Sequence, residues 1–354
     1  MRSEPGAARV QGFVLALTLW LLAGIAVVVA VLAHWSLQQV REAAASKARL
    51  EARAAMIGTR DTLLYVLATT GKTRAGLPMQ RPPDEALAAR RLDDMGGLSV
   101  EPFGSELRLD GTVYAGLEGI AFAVQDESGL FSVSWPSDRR LDAFLMAHGI
   151  DPQQIPVLRD QLLDYIDRDD LTRLHGAEAD DYRRAGLPPP ANRRLLQPQE
   201  LARVPAWRAL PDEQLQRLIA QSTATYSGAF NLNTAPRELL PMFIHGCPET
   251  CDTLIALRER VPFRSGPELE LRVGVRLPGD SAVDYRFAPS DDLRLTLWSE
   301  TGAAWRIHVR LTPLANQRAP WIISSAYTVP RPAAHEPPRP TGSPLFADAP
   351  PDRR

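Results

Sequence analysis

The sequence is short of the parts from which enzymes are built. Its six histidines are scattered, it has two cysteines, and it contains no Gly-x-Ser-x-Gly elbow, phosphate-binding Gly-Lys-Ser/Thr loop or His-Glu-x-x-His helix. No local motif supplies a nucleophile with its base, a phosphate cradle or a catalytic zinc site, and the chain is read as a non-enzyme. Neither sign of charge dominates: 40 basic against 42 acidic side chains leave a net −2. That balance offers no bulk positive field for nucleic acid or anionic lipid, so no nucleic-acid partner is expected. The most informative absence is local. Residues 13–33, FVLALTLWLLAGIAVVVAVLA, hold no charged side chain, and at about 1.5 Å of rise per residue a helix of that length crosses the roughly 30 Å hydrocarbon core of a bilayer.

A cleaved signal peptide shares the basic start and the apolar run, but it has a shorter apolar region ending in small residues. Here the run is longer and ends in His34-Trp35-Ser36. We read it as a single-pass anchor. Arg2 and Arg9 ahead of it keep the amino end inside, with Arg41 and Lys47 after it weakening the contrast, which places the body on the outer side. Residues 37–70 lack proline and are rich in alanine, so the helix is expected to continue as a rod roughly 80 Å long. Val40, Ala44, Ala48, Leu50, Ala54, Ile57, Leu64 and Leu67 would form an apolar stripe that needs a covering surface.

The thirty-one prolines concentrate at 77–83, 188–190 and from 330 onward. These stretches read as linkers, with 330–354 a disordered tail. Cys247 and Cys251 sit four apart in HGCPETC. They suit a short-loop disulfide outside the cytoplasm; a zinc site with His245 would lack a second pair of ligands.

Residues 107–133 and 283–329 change to period-two alternation. In the second block Leu293, Leu295 and Leu297 stand in step with Ile307, Val309 and Leu311 around a Glu-Thr-Gly turn, a strong hairpin signal. The intervening 134–282 reads as helical, so strands distant in sequence would join in one antiparallel sheet and the helical part would be an insertion. An internal echo lies across it: SGLFSVS from Ser128 and SGAFNLN from Ser227, each followed by a helix. In the second copy Asn233 or Thr234 is placed to cap a helix beginning near Pro236, and Ser134 is the counterpart in the first.

These features resemble one family. The Gln11-Gly12-Phe13 junction is similar to the prepilin-peptidase site of type IV pilin-like proteins, with the cut after Gly12. Such proteins usually carry glutamate at the fifth mature position; here it is Leu17, a departure shared by type II secretion protein K. The segments DESG, DRDDLTRLHGAEADDY, FNLNTAPRELL and PFRSGPELE follow in that family's order. The resemblance, spread over about residues 12–313, implies an α+β pilin-like fold: a leader (1–12), a membrane helix (13–33) with its outer half (34–70), a small antiparallel sheet packed on it (71–133 and 283–329), and an all-α insert of two helical subdomains (134–225 and 226–282) akin to sterile-alpha-motif or helix-hairpin-helix folds. It also implies a methylated Phe13 after processing, the inner membrane with the bulk in the periplasm, the tip of a pseudopilus, and as partners the minor pseudopilins I and J, the major pseudopilin and prepilin peptidase.

The acidic segment has two explanations. Asp164, Asp167, Asp169, Asp170, Glu178 and Asp181 fall close together, and Arg168, Arg173, Arg183 and Arg184 can relieve them as a solvated face. Hard cations take six to eight oxygens, and the resemblance to protein K implies that a subset of these acids holds structural calcium. The rival function is a membrane-tethered DNA-binding protein, because NLNTA openings also begin helix-hairpin-helix modules and Arg258, Arg260, Arg264, Arg272 and Arg276 follow. Glu259, Glu268 and Glu270 interleave with those arginines and count against it.

Overall fold

The computed structural model describes residues 11–79, 101–134, 136–226, 228–299, 304–312, 319–329, 340–343 and 345–346. The leader through residue 10 and the Glu-Thr-Gly turn lie outside the described residues. The chain divides into two compact units, Met1–Ala54 and Ala55–Arg354.

One helix, α1, runs Gln11–Thr69, uninterrupted by proline. It is long and apolar enough to cross a membrane. Gly12 and Phe13 fall in its first turn. Within the first unit Leu17, Trp20, Val28, Val40 and Leu50 are exposed, so the apolar stripe expected to be covered along the whole outer half is uncovered there. Within the second unit Ala55, Met56, Leu63, Leu64 and Leu67 are buried. Their i, i+3/i+4/i+7 recurrence is the stripe of a helix that lies on a core, each large side chain stabilising by about 1.5–3 kcal/mol.

That core is a sheet. Short strands β1 (Leu77–Pro78) and β2 (Glu106–Leu107) pair antiparallel, so the proline stretch taken for a linker begins as a buried strand. β3 (Asp110–Ala115) and β4 (Ala121–Asp126) follow. Beyond the insert come β9 (Asp292–Trp298), β10 (Ala304–Leu311) and β11 (Trp321–Thr328). The five-stranded order is β11-β10-β9-β4-β3, antiparallel throughout. Ile307 faces Leu295 and Val309 faces Leu293, the expected register, and Val124 pairs with Leu295 across the insertion. Phe122, Val124, Leu293, Leu295, Leu297, Ile307 and Val309 form one buried face with α1. The Thr59 hydroxyl accepts from the Leu117 amide at 3.2 Å, fixing the helix on the β3–β4 turn.

The tail departs from expectation. Thr341 donates to Val113 and accepts from Ala115, both at 2.9 Å, alongside β3, and Phe346 meets Phe122 edge-on at 5.5 Å. An aromatic seat on an otherwise open sheet edge explains why this part of a proline-rich tail docks.

The insert has its own core, from Phe131 to Phe287, centred on Phe144, Tyr165, Trp207, Leu240 and Phe263. The echo becomes a pair of clasps. In the first, β5 (Phe131–Ser132) pairs in parallel with β6 (Ser222–Thr223); in the second, β7 (Phe230–Asn231) pairs in parallel with β8 (Tyr285–Arg286). Each clasp closes the ends of one helical run. The first holds α2 (Asp138–Ala147), α3 (Ile155–Ile166), α4 (Ala179–Arg184), α5 (Pro205–Arg208) and α6 (Asp212–Ala220); the second holds α7 (Glu249–Arg260) and α8 (Gly266–Val273). PFRSGPELE is the start of α8: Ser265 accepts from the Glu268 amide at 3.3 Å, Glu268 accepts from Arg264 N–H at 2.9 Å, and Gly274 closes the helix at φ +77°. Cys247 and Cys251 are joined as a disulfide with Cα atoms 5.0 Å apart.

Candidate functional site

Two buried acidic centres contain the motifs singled out in the sequence. The first is where the insert leaves and rejoins the sheet. Asp126, fully buried at the end of β4, accepts six hydrogen bonds: from Ser128 N–H (3.1 Å) and Oγ (2.5 Å), Asn231 Nδ2 (2.9 Å), Thr234 Oγ1 (2.8 Å), and Ser290 N–H (3.0 Å) and Oγ (2.7 Å). DESG and FNLNTAPRELL, far apart in sequence, are thus two sides of one contact. Gly129 is required there, because a Cβ would lie 2.7 Å from the Thr234 carbonyl carbon.

The capping roles assigned to Asn233 and Thr234 are not what the structure shows. Thr234 is spent on Asp126. Asn233 Nδ2 donates to the carbonyls of Phe263 (2.9 Å) and Phe287 (3.0 Å), and its Oδ1 accepts from Phe263 N–H (3.0 Å). The next element is a 3₁₀ turn, Arg237–Met242, with no side-chain cap. The asparagine instead ties together three backbone groups that would otherwise be buried unpaired. Ser134 likewise caps nothing: its hydroxyl donates to the carbonyls of Leu195 and Ala224.

Beside Asp126, buried Glu127 bonds His308 Nδ1 and the hydroxyls of Thr223 and Thr225, while His308 Nε2 meets Tyr327 OH at 2.9 Å. Burial pushes the Glu127 carboxyl up, but His308 and the two hydroxyls outweigh it and hold the group below the usual glutamate range. Sequence reasoning missed this cluster; the glutamate of DESG was its one visible sign.

The second centre is the acidic loop between α3 and α4. Asp164 and Asp167 share Arg173 Nη1. Asp160 accepts from His175 N–H (3.2 Å). Asp169 accepts from Leu171 N–H (3.0 Å), Asp170 from Asn192 Nδ2 (3.2 Å), and Asp181 from Glu178 N–H (3.1 Å) and from Arg184. Asp181 is therefore committed to the start of α4. Gly176 passes so close to Asp164 that a Cβ would sit 1.8 Å from its Oδ2. Among the described residues no three acidic, histidine or cysteine side chains are disposed as a metal-holding group; Arg173 supplies the positive charge. Yet both carboxylate oxygens of Glu178, 5% exposed, have no partner, nor do Asp167 Oδ1 and Asn192 Oδ1. Burial, then Asp164, Asp167, Asp170 and Asp169, push the Glu178 carboxyl up to about 7. Buried carboxylate oxygens without a hydrogen-bond partner are the kind of hard donor that calcium takes, although no three of these acids stand about one point here.

The arginines of the DNA-binding alternative disperse. Arg258 is buried, Arg264 lies 3.4 Å from Glu101, and Arg272 bonds Glu268 and the carbonyls of Leu257 and Val261.

Residues 123–221 match the family model for type II secretion system (T2SS), protein K. Among solved structures the chain is similar to one in the crystal structure of the GspK-GspI-GspJ complex from the enterotoxigenic Escherichia coli type 2 secretion system, at 15% identity and a TM-score of 0.51, covering 81% of this chain and 99% of that one. At that identity the likeness is one of fold. No curated protein matches. The resemblance to protein K and the α+β, pilin-like architecture are borne out.

Proposed function

We propose, for a chain that carries the protein K domain of the type II secretion system, the role of a minor pseudopilin that caps and initiates a periplasmic pseudopilus. The work is assembly, not catalysis. The observation that supports it most is a continuous helix, Gln11–Thr69, whose early apolar side chains are exposed while its last turns seat a pilin-like sheet. After removal of residues 1–12 by prepilin peptidase at the inner membrane, the exposed stripe would pack against sister helices, first in lipid and then in a filament. Leu17 stands where ordinary pilins carry the glutamate thought to neutralise a neighbour's amino terminus. A subunit unable to do that, and with a bulky insert, suits the tip.

The minor pseudopilins I and J and the major pseudopilin are the partners this reading requires. Calcium belongs to the same proposal as a structural ion. Asp167, Asp170 and Glu178 would hold it once the loop closed about the ion, since no three of these acids now stand together, with Asp164 available if Arg173 swings aside; the ion would neutralise the loop and fix α3 against α4. Co-expression of tagged full-length chain with I and J, extraction in mild detergent and purification tests the reading. A stoichiometric three-chain complex is expected, and recovery of this chain alone while I and J pair without it would contradict it. Salt-sensitive binding of duplex DNA by the purified chain would favour the tethered DNA-binding alternative.

A further inference from the structure

We infer that the cleft between the β1–β2 pair and the end of α7 is a binding site for one carboxylate carried on a peptide chain, held by Arg258. The inference stands apart from the pseudopilin reading. The cleft, about 210 Å³, lies inside the second compact unit and is lined by Arg74, Pro102 and Arg108 on the β1–β2 side and by Arg258, Arg260 and Pro262 on the insert side.

Arg258 is the unusual member. It is 7% exposed, its Nη1 donates to the Leu232 carbonyl at 2.6 Å, and its Nε has no partner. It forms no ion pair among the described residues, although acids stand nearby, because those acids are engaged. Asp110 is held by Arg108 and by the Thr112 amide and hydroxyl, Glu259 lies 3.4 Å from Arg108, and Glu106 accepts from the amides of Phe103 and Gly104. Burial weakens the hold of Arg258 on its proton, to about 10, which still leaves it charged at neutral pH. A buried guanidinium that keeps its charge, with Asp110 and Glu259 near it but each bound to Arg108, is incompletely neutralised, and a carboxylate bound to its unpaired side would relieve it.

Size and charge narrow the ligand. The volume falls below the several hundred Å³ typical of cofactor and small-molecule pockets, and suits a single side chain or chain end. Among the described residues the lining holds four arginines and three carboxylates, and Arg74 is already paired with Glu101. With Arg74 and Arg108 engaged, Arg258 is left to meet a single carboxylate, and the neighbouring acids would repel a phosphate dianion.

The test uses the full chain in zwitterionic detergent, titrated by calorimetry with four probes: acetyl-Gly-Glu-Gly-amide, acetyl-Gly-Gly-Gly as free acid, acetyl-Gly-Gln-Gly-amide and inorganic phosphate. Saturable binding of at least one acid peptide is expected, tenfold or more tighter than the glutamine peptide and tighter than phosphate. The order of the two acid peptides identifies a side chain or a chain terminus as the source. Arg258→Gln should abolish the preference. Arg258→Lys, which keeps the charge without the fork, should weaken it several-fold and serves if the glutamine variant does not fold. Equal binding of acid and neutral peptides, tighter phosphate binding, no saturable binding, or unchanged affinity in the lysine variant would each overturn the inference.

Discussion

Asp126 and Glu178 are both buried carboxylates in the same compact unit, and they differ in what surrounds them. Asp126 is saturated by six protein donors contributed by DESG, the second echo and the returning strand, without a cation. Glu178 has both oxygens unpartnered and four aspartates about it. The first centre is finished by the chain itself and works as a clasp that joins insert to sheet. The second is unfinished, and its oxygens are of the kind that a hard cation completes. The same buried acidic chemistry thus serves two ends, and the partner count distinguishes them.

The largest effect should come from breaking the finished centre. Asp126→Ala strands several buried donors at about 1–3 kcal/mol each, so a loss of about 4 kcal/mol or more is expected in denaturant unfolding of the full chain. A loss under about 1 kcal/mol would show that the clasp does not hold the insert. Completing the unfinished centre should come next. Calcium at a hundred times its Kd should stabilise by about 2.7 kcal/mol, seen as a rise in Tm that chelator reverses and that Glu178→Gln removes. A Tm indifferent to calcium would erase the contrast between the centres. Gly129→Ala, which drives a Cβ into the Thr234 backbone, should cost about 1–3 kcal/mol, whereas Gly149→Ala, with open space around it but φ +71°, should cost less. Equal losses would mean that the close approach is unimportant.

The smallest expected effect is a pH dependence beside the clasp. Glu127 has its folded pKa held below its unfolded value, which is about 4.3. Its contribution is complete above the unfolded value and is lost as pH falls through the lower folded one. Wild type should therefore lose stability more steeply than Glu127→Gln as pH falls below about 4.3. Parallel slopes would mean that His308 and the two threonines do not favour the ionised form.

What could be read in advance follows from periodicity. The hairpin register is legible because Leu293, Leu295 and Leu297 alternate with polar residues, and a one-residue slip would turn them all to the other face. The echo is legible as well, although it marks paired clasps more than paired caps. What could not be read depends on contacts between distant residues. Asn233 looks like a cap because local spacing favours it, but tertiary packing brings it to the backbones of Phe263 and Phe287. His308 looks isolated until Glu127, 181 positions away, is folded beside it. Composition marks the tail as unstructured, and only the open edge of β3 shows where Thr341 binds. The acidic loop is readable as a cluster, but which of its acids is left without a partner depends on where Arg173 lands.

The account's central claim, that this is a processed pilin-like subunit, is tested most directly by intact-mass and amino-terminal mass spectrometry of the native chain from the membrane fraction. The account predicts a chain beginning at Phe13 and carrying one methyl group on its amino nitrogen. A membrane-bound chain that keeps residues 1–12, or a soluble one cut beyond residue 33, would contradict it.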